Sequence, residues 1–434
     1  MSPDTPSAAS AEAPPPLDGS VPTSGLRLHF LDGMRALACL YVLLFHIVSV
    51  RVVGHGEPSR AVRFLLPATS RGRYGVVFFI VLSGFSLMLP VARKGHGRLL
   101  GGFRNYLYRR ARRILPPYYA ALGASLGLIV LHNAVGTSHG GEPIEAALKP
   151  GSIVSHILLL HNLNFDWAYR INGPMWSVAT EWQIYFVFPA LLLPLWRHAG
   201  ALTTAGVAWV AGSIPFFVLP SQSNFYWACP WFVGSFALGM AGATIGFSPG
   251  YQGSWLRDRA PWGALASATL VVLGAMIATG LDARIGYPVI DLIVSVLAFC
   301  LINACSQHFR SQATGLQGLF ARILSSRALV YIGGFSYSLY LMQHPVLRLT
   351  ERVLGRIPVG YDAQIAIHLL VDSALVMGVA WLFSELFERP FTSGGLLLQA
   401  LQRRLRRPAP ASLAAVGQGQ DSAQGPAGAD PEAR

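Results

Sequence analysis

Arg35 and His46 stand eleven residues apart in LDGMRALACLYVLLFHI, an otherwise largely apolar stretch. An α-helix turns about 100° and rises about 1.5 Å per residue, so the two side chains share one face roughly 16 Å apart along the axis. An ionisable group in an apolar span costs about 3 kcal/mol or more near the bilayer centre and marks a functional site by default. Imidazole titrates near neutral pH and can take a proton there. Two readings fit this helix taken alone. In one, His46 is a base with Arg35 on the same face. In the other, Arg35 snorkels to the interface and His46 is a hydrogen-bonded packing residue.

Three further stretches carry polar groups at helical spacing. In GPMWSVATEWQIYFVFP, Ser177, Glu181 and Tyr185 recur at i, i+4 and i+8, on one face. Glu181 could orient a histidine, accept a proton, hold a hydroxyl or pair with an arginine. In GGFSYSLYLMQHPV, Tyr337, Tyr340 and His344 fall at i, i+3 and i+7. They offer hydroxyl and imidazole groups to a polar partner, or form an aromatic belt at the interface. In YRRARRILPPYY, four arginines (Arg109, Arg110, Arg112, Arg113) precede Pro116 and Pro117. Clustered guanidinium groups match phosphate by bidentate bonds, as on the diphosphate and ribose phosphate of coenzyme A, and they also anchor a membrane protein by its inner face. FFIVLSGF supplies Ser83 and Gly84, small residues at which helices can approach closely. FERPF places Glu388 beside Arg389, where the two are expected to pair as an anchor.

The elements that position these groups are membrane helices. The chain of 434 residues is 53% hydrophobic and 12% charged, about half the charged share of a soluble protein. Its apolar blocks are about as long as a bilayer-crossing helix, roughly 20 residues. The expected fold is an all-α polytopic bundle of about ten spans, near 34–53, 73–91, 116–134, 174–196, 202–219, 225–247, 262–281, 286–306, 328–348 and 364–388. The segment 151–163 is apolar but short, and reads as a re-entrant or interfacial helix. The organisation is a tail over 1–28, a membrane domain over 29–395, and a basic then disordered tail over 396–434. Residues 1–26, rich in Pro, Ala and Ser with no basic patch before an apolar run, are expected to be a disordered tail rather than a signal peptide.

The net charge of +13 comes from bases placed between apolar blocks. That pattern excludes a nucleic-acid partner and points to lipid headgroups. Lys and Arg are nearly twice as frequent in the tails and even-numbered loops as in the odd-numbered loops, so both termini are expected in the cytoplasm. Arg51, Arg60, Arg63, Arg71 and Arg73 run against the bias, since they would face outward. Cys39, Cys229, Cys300 and Cys305 show no metal or redox spacing and read as core residues.

The order LDGMRALA…H, FFIVLSGF, RRARRILPPYY, GPMWSVATEWQIYF, FSYSLYLMQHP and FERP resembles the acyltransferase-3 family of bacterial membrane O-acyltransferases. The resemblance covers roughly residues 29–392. It implies a multi-pass protein of the bacterial cytoplasmic membrane that moves an acyl group, by default acetyl, from acyl-CoA to a hydroxyl of a glycan or a glycosylated small molecule, without a metal. It assigns His46, Arg35 and Glu181 to catalysis and Arg110 and Arg113 to the donor. Trp176 and Ser177 fall in the family's substrate motif, and Tyr340 and His344 are expected on the acceptor side. Many members have a second glutamate where this chain has Trp182, so no paired-carboxylate role carries over. Many also bear a C-terminal esterase-like domain, and this chain is expected to be the stand-alone form. Its oligomeric state is open. The competing reading is a transporter or flippase for a polar or acyl-bearing solute, because proton-coupled carriers also place Arg, His and Glu inside the membrane.

Overall fold

A computed structural model describes residues 27–50, 57–95, 97–134, 148–220, 223–224 and 228–392. The expected tails, 1–28 and 396–434, lie outside these residues apart from Arg27 and Leu28, as does Arg51. Among the described residues every regular element is helical. The first four helices are α1 (His29–Val50), α2 (Arg60–Thr69), α3 (Arg73–Lys94) and α4 (Gly102–Ala134). Next come α5 (Pro150–Ile157), α6 (Met175–Val187), α7 (Ala201–Val218), α8 (Phe232–Phe247) and α9 (Trp262–Thr279). The chain then runs through α10 (Tyr287–Ser311), α11 (Gly315–Leu324), α12 (Arg327–Gly333), α13 (Ser336–Leu354) and α14 (Tyr361–Phe383). Single π-turns carry α6 on to Ala199 and α14 on to Thr392.

Among the described residues, eight helical stretches are long and apolar enough to cross a bilayer, and they coincide with eight of the ten expected spans. The remaining two expected spans are helices of a different kind. α8 is short, at 16 residues, and almost wholly enclosed by α3, α7 and α10. α13 has 19 residues, and its middle and C-terminal turns carry Gln343, His344, Arg348, Glu351 and Arg352. The segment 151–163 forms the eight-residue α5 and a 3₁₀ turn, far short of a crossing. Tyr118 pins it by donating to the His156 carbonyl oxygen at 2.8 Å.

The crossing of α3 and α8 depends on missing side chains. A Cβ on Gly84 would stand 1.9 Å from the Phe236 carbonyl oxygen, and one on Gly239 would stand 1.9 Å from that of Val81. The small-residue step in FFIVLSGF is therefore a backbone contact point. Gly84→Leu is expected to force the helices apart, a change of the overpacking kind that costs about 1–3 kcal/mol or more. Size-exclusion chromatography of detergent-solubilised protein should show less monodisperse material. Gly123→Leu, on α4 with open space around it, should leave the profile unchanged. Equal profiles for the two variants would refute the contact.

α13 lies alongside α1 in the same direction. Cys39 of α1 donates its thiol to the Ser336 carbonyl oxygen at 3.4 Å, and the His46 and His344 rings are neighbours, with centroids 6.2 Å apart. α14 returns the other way, and Glu388 accepts from the Ser338 hydroxyl at 2.5 Å. Residues 27 and 392 thus sit at one end of the bundle, called the near end below. The expected Glu388–Arg389 pair is corrected here. Arg389 pairs with Glu385, one turn back, because neighbours in a helix point about 100° apart while i and i+4 align. The four cysteines are free and buried, as core residues should be.

Candidate functional site

Two cavities lie in the bundle between α1, α3, α6 and α13. The near cavity, about 100 Å³, is lined by Arg35, Ser83, Arg110, Arg113, Ser177, Glu181 and Tyr185 among others. The far cavity, about 890 Å³, is lined by His46, Arg71, Arg73, Trp176, Tyr287 and His344 among others. Val76 and Tyr340 line both.

The helical spacing read from the sequence explains the near cavity. Ser177, Glu181 and Tyr185 all face it from α6. Tyr185 donates to Glu181 Oε1 at 2.5 Å and lies 3.1 Å from the Ser83 hydroxyl. Arg35 pairs with Asp32 at 3.0 Å, one turn earlier, and donates to Ser86 at 2.8 Å. Arg110 and Arg113 reach in from α4, and Arg110 Nε is buried with no hydrogen-bond partner. This is a cationic pocket with one carboxylate. Trp182 turns aside and packs on the Tyr185 and Phe186 rings.

Ser177 and Tyr340 form the waist between the cavities. Their hydroxyl oxygens lie 2.7 Å apart, and the Pro174 carbonyl oxygen stands 3.2 and 3.1 Å from them as acceptor. Phe79 closes on the Tyr340 ring edge to face, with centroids 5.7 Å apart. α13 serves the whole length of the site: Tyr337 faces the near cavity, Tyr340 both and His344 the far one.

His46 opens on the far cavity, and its Nδ1 is buried with no hydrogen-bond partner. Phe45, His344 and Gln343 surround the ring. The shared face of Arg35 and His46 is real, but the two residues serve different cavities. Arg35 and Glu181 come together in one, while His46, Trp176 and His344 come together in the other.

Two ion pairs on the far cavity were not singled out from the sequence. Arg71 binds Asp282 at 2.7 Å, and Arg73 binds Asp291 at 2.7 Å. Burial pushes the Asp282 carboxyl up, but hydrogen bonds from Arg71 and Tyr74 outweigh it and hold the group below its usual range. Arg73 sits among the rings of Trp176, Trp231, Phe232 and Tyr287, with its guanidinium carbon 4.8–5.7 Å from their centroids, within cation–π range. Asp291 also accepts from the Trp231 indole at 2.7 Å. An acid inside the apolar span 286–306 was a usable signal, by the same rule that picked out Glu181. The pairs also account for two arginines that ran against the charge bias, since carboxylates neutralise both.

The family profile described as "Acyltransferase domain" matches residues 28–385. A "Putative O-acetyltransferase" of Staphylococcus aureus (strain COL) is 22% identical over 388 residues, covering 84% of this chain and 57% of that protein. The chain thus spans little more than half the length of that relative. Acyltransferase MdmB of Streptomyces mycarofaciens is 26% identical over 373 residues, covering 79% of this chain and 85% of that protein. Peptidoglycan O-acetyltransferase OatA of Listeria monocytogenes is 25% identical over 170 residues, covering 38% and 24%. No solved structure matches. With a profile match running from the start of α1 into the π-turn after α14, around both cavities, the chain belongs to the acyltransferase family defined by that domain.

Proposed function

We propose that this chain is a multi-pass O-acyltransferase of the bacterial inner membrane, with both termini cytoplasmic, which moves an acetyl group from acetyl-CoA to a hydroxyl of a glycan or glycosylated small molecule. The observation that carries this reading is the pair of cavities meeting at Tyr340, with arginines on one side and a histidine on the other. Arginines suit the anionic donor. The far cavity combines aromatic rings with arginines and an aspartate, a lining that stacks on sugar rings and binds their hydroxyls. The names of MdmB and OatA support acyl transfer, and that of OatA a glycan acceptor.

In this reading the acylated end of the donor enters the near cavity and presents its carbonyl at the Ser177–Tyr340 waist. The acceptor hydroxyl lies in the far cavity beside His46. As its oxygen attacks the carbonyl carbon, His46 takes the proton, the C–O bond forms and the C–S bond breaks. The departing thiolate is then protonated. In a second route His46 itself carries the acyl group between donor and acceptor. Rapid acid quenching with labelled donor separates the two, since only the second leaves label on the protein.

The test of the function is release of free coenzyme A thiol from purified protein given labelled acetyl-CoA and an acceptor glycan. A transporter would move label with the thioester intact. The joint variant Arg110→Ala with Arg113→Ala should raise KM for acetyl-CoA at least tenfold, since each charge-assisted bond lost is worth about 1.5–3 kcal/mol. KM for the acceptor should hardly change. An unaltered donor dependence would return this run to membrane anchoring.

A further inference from the structure

The near cavity, at about 100 Å³, holds a few water molecules or a short acyl group, whereas ligand sites for larger molecules occupy about 300–1,000 Å³. If acyl-CoA is the donor, its nucleotide must sit elsewhere. A separate cavity of about 470 Å³ lies at the near end, lined by Lys94, Arg98, Leu99, Leu100 and Gly101. It is formed by the link between α3 and α4. Among the described residues neither Lys94 nor Arg98 forms an ion pair.

The link is rich in glycine, and Gly101 is the glycine that lines this cavity. Gly95, Gly97, Gly101 and Gly102 all take positive φ, from 59° to 76°, a region glycine enters at no steric cost. A Cβ on Gly95 or Gly102 would meet nothing within 4 Å, so open space lies beside both. The link is held at two points. Arg109 of α4 donates to the Leu100 carbonyl oxygen at 2.9 Å, and Arg197 donates through Nε to that of Gly97 at 2.7 Å.

We propose that this basic glycine link binds the 3′-phosphoadenosine end of coenzyme A. The inference rests on the acyl-CoA reading above and extends it to residues outside both central cavities. Lys94 and Arg98 take the ribose 3′-phosphate, and Leu99 and Leu100 offer apolar surface to the adenine. From Gly102 to Arg110 is about 12 Å along α4, at about 1.5 Å per residue. The parts of the donor then follow the parts of the protein in order: nucleotide on the link, diphosphate along the α4 arginines, pantetheine arm into the near cavity, thioester at the waist.

Three donors test the assignment on the full-length protein in zwitterionic detergent: acetyl-CoA, acetyl-dephospho-CoA and S-acetyl-pantetheine. Lys94→Ala with Arg98→Ala should raise KM for acetyl-CoA about ten- to a hundredfold, with kcat retained. The rise should be smaller for acetyl-dephospho-CoA and absent for S-acetyl-pantetheine. A matching rise with S-acetyl-pantetheine would overturn the site, because that donor has no nucleotide. So would an unchanged KM for acetyl-CoA. Recovery of the variant on adding anionic phospholipid would make the link a headgroup site instead. Wild-type protein that ignores acetyl-CoA yet uses S-acetyl-pantetheine overturns this site and leaves acyl transfer standing. Wild-type protein that uses neither fails at the donor reading itself.

Discussion

His46→Gln should lower the rate of acyl transfer by roughly 10²- to 10⁴-fold, the range expected for loss of a general base. Glutamine keeps a hydrogen-bonding group of similar reach but takes up no proton near neutral pH. The position favours a chemical role. The ring faces the larger of the two cavities, where it neighbours the Phe45 and His344 rings. Yield and thermal stability should stay near wild type, because the substitution removes no ion pair. If His46 carries the acyl group itself, the loss should exceed this range, and the wild-type protein should retain label after acid quenching. Near-normal turnover in well-folded His46→Gln would leave His46 a packing residue.

Asp291→Leu should destabilise the bundle by about 3–5 kcal/mol, the usual result of removing one partner of a buried pair. Asp291 is completely buried and accepts from Arg73 and from the Trp231 indole. Its loss leaves a guanidinium among four rings with no counter-charge. Arg73→Leu combined with Asp291→Leu should recover most of the stability, because no orphaned charge remains. Thermal unfolding of the two variants in detergent measures this. A double variant no more stable than the single one would mean that the aromatic box, not the carboxylate, keeps Arg73 in place. The same pair fixes one wall of the far cavity, so the single variant should also weaken acceptor use.

The local part of the architecture was legible because it depends on residue type and helical period. Apolar blocks of bilayer length located eight spans, and both other expected spans are helices. The spacing of Ser177, Glu181 and Tyr185, and of Tyr337, Tyr340 and His344, placed each set on a face that the fold turns to a cavity. Such periodicity holds along a single helix and needs no partner. α8 and α13 were harder to classify. A helix enclosed by protein need not match the bilayer in length, and one lining a polar cavity need not be apolar.

Contacts between distant segments were beyond any local rule. Arg71 meets Asp282 across 211 positions and Arg73 meets Asp291 across 218, so packing alone gave two arginines that ran against the loop bias their carboxylate partners. Arg35 and His46 show both sides of this. Their shared face follows from eleven residues of helix. Their separation into two cavities depends on where α3, α6 and α13 pack against α1, with Ser177 and Tyr340 meeting between them across 163 positions. By itself the sequence determined a helical membrane bundle, the polar faces within it and the family. Which polar groups share a chamber was decided by the tertiary structure, because burial forces each charge toward whatever partner the packing brings within reach.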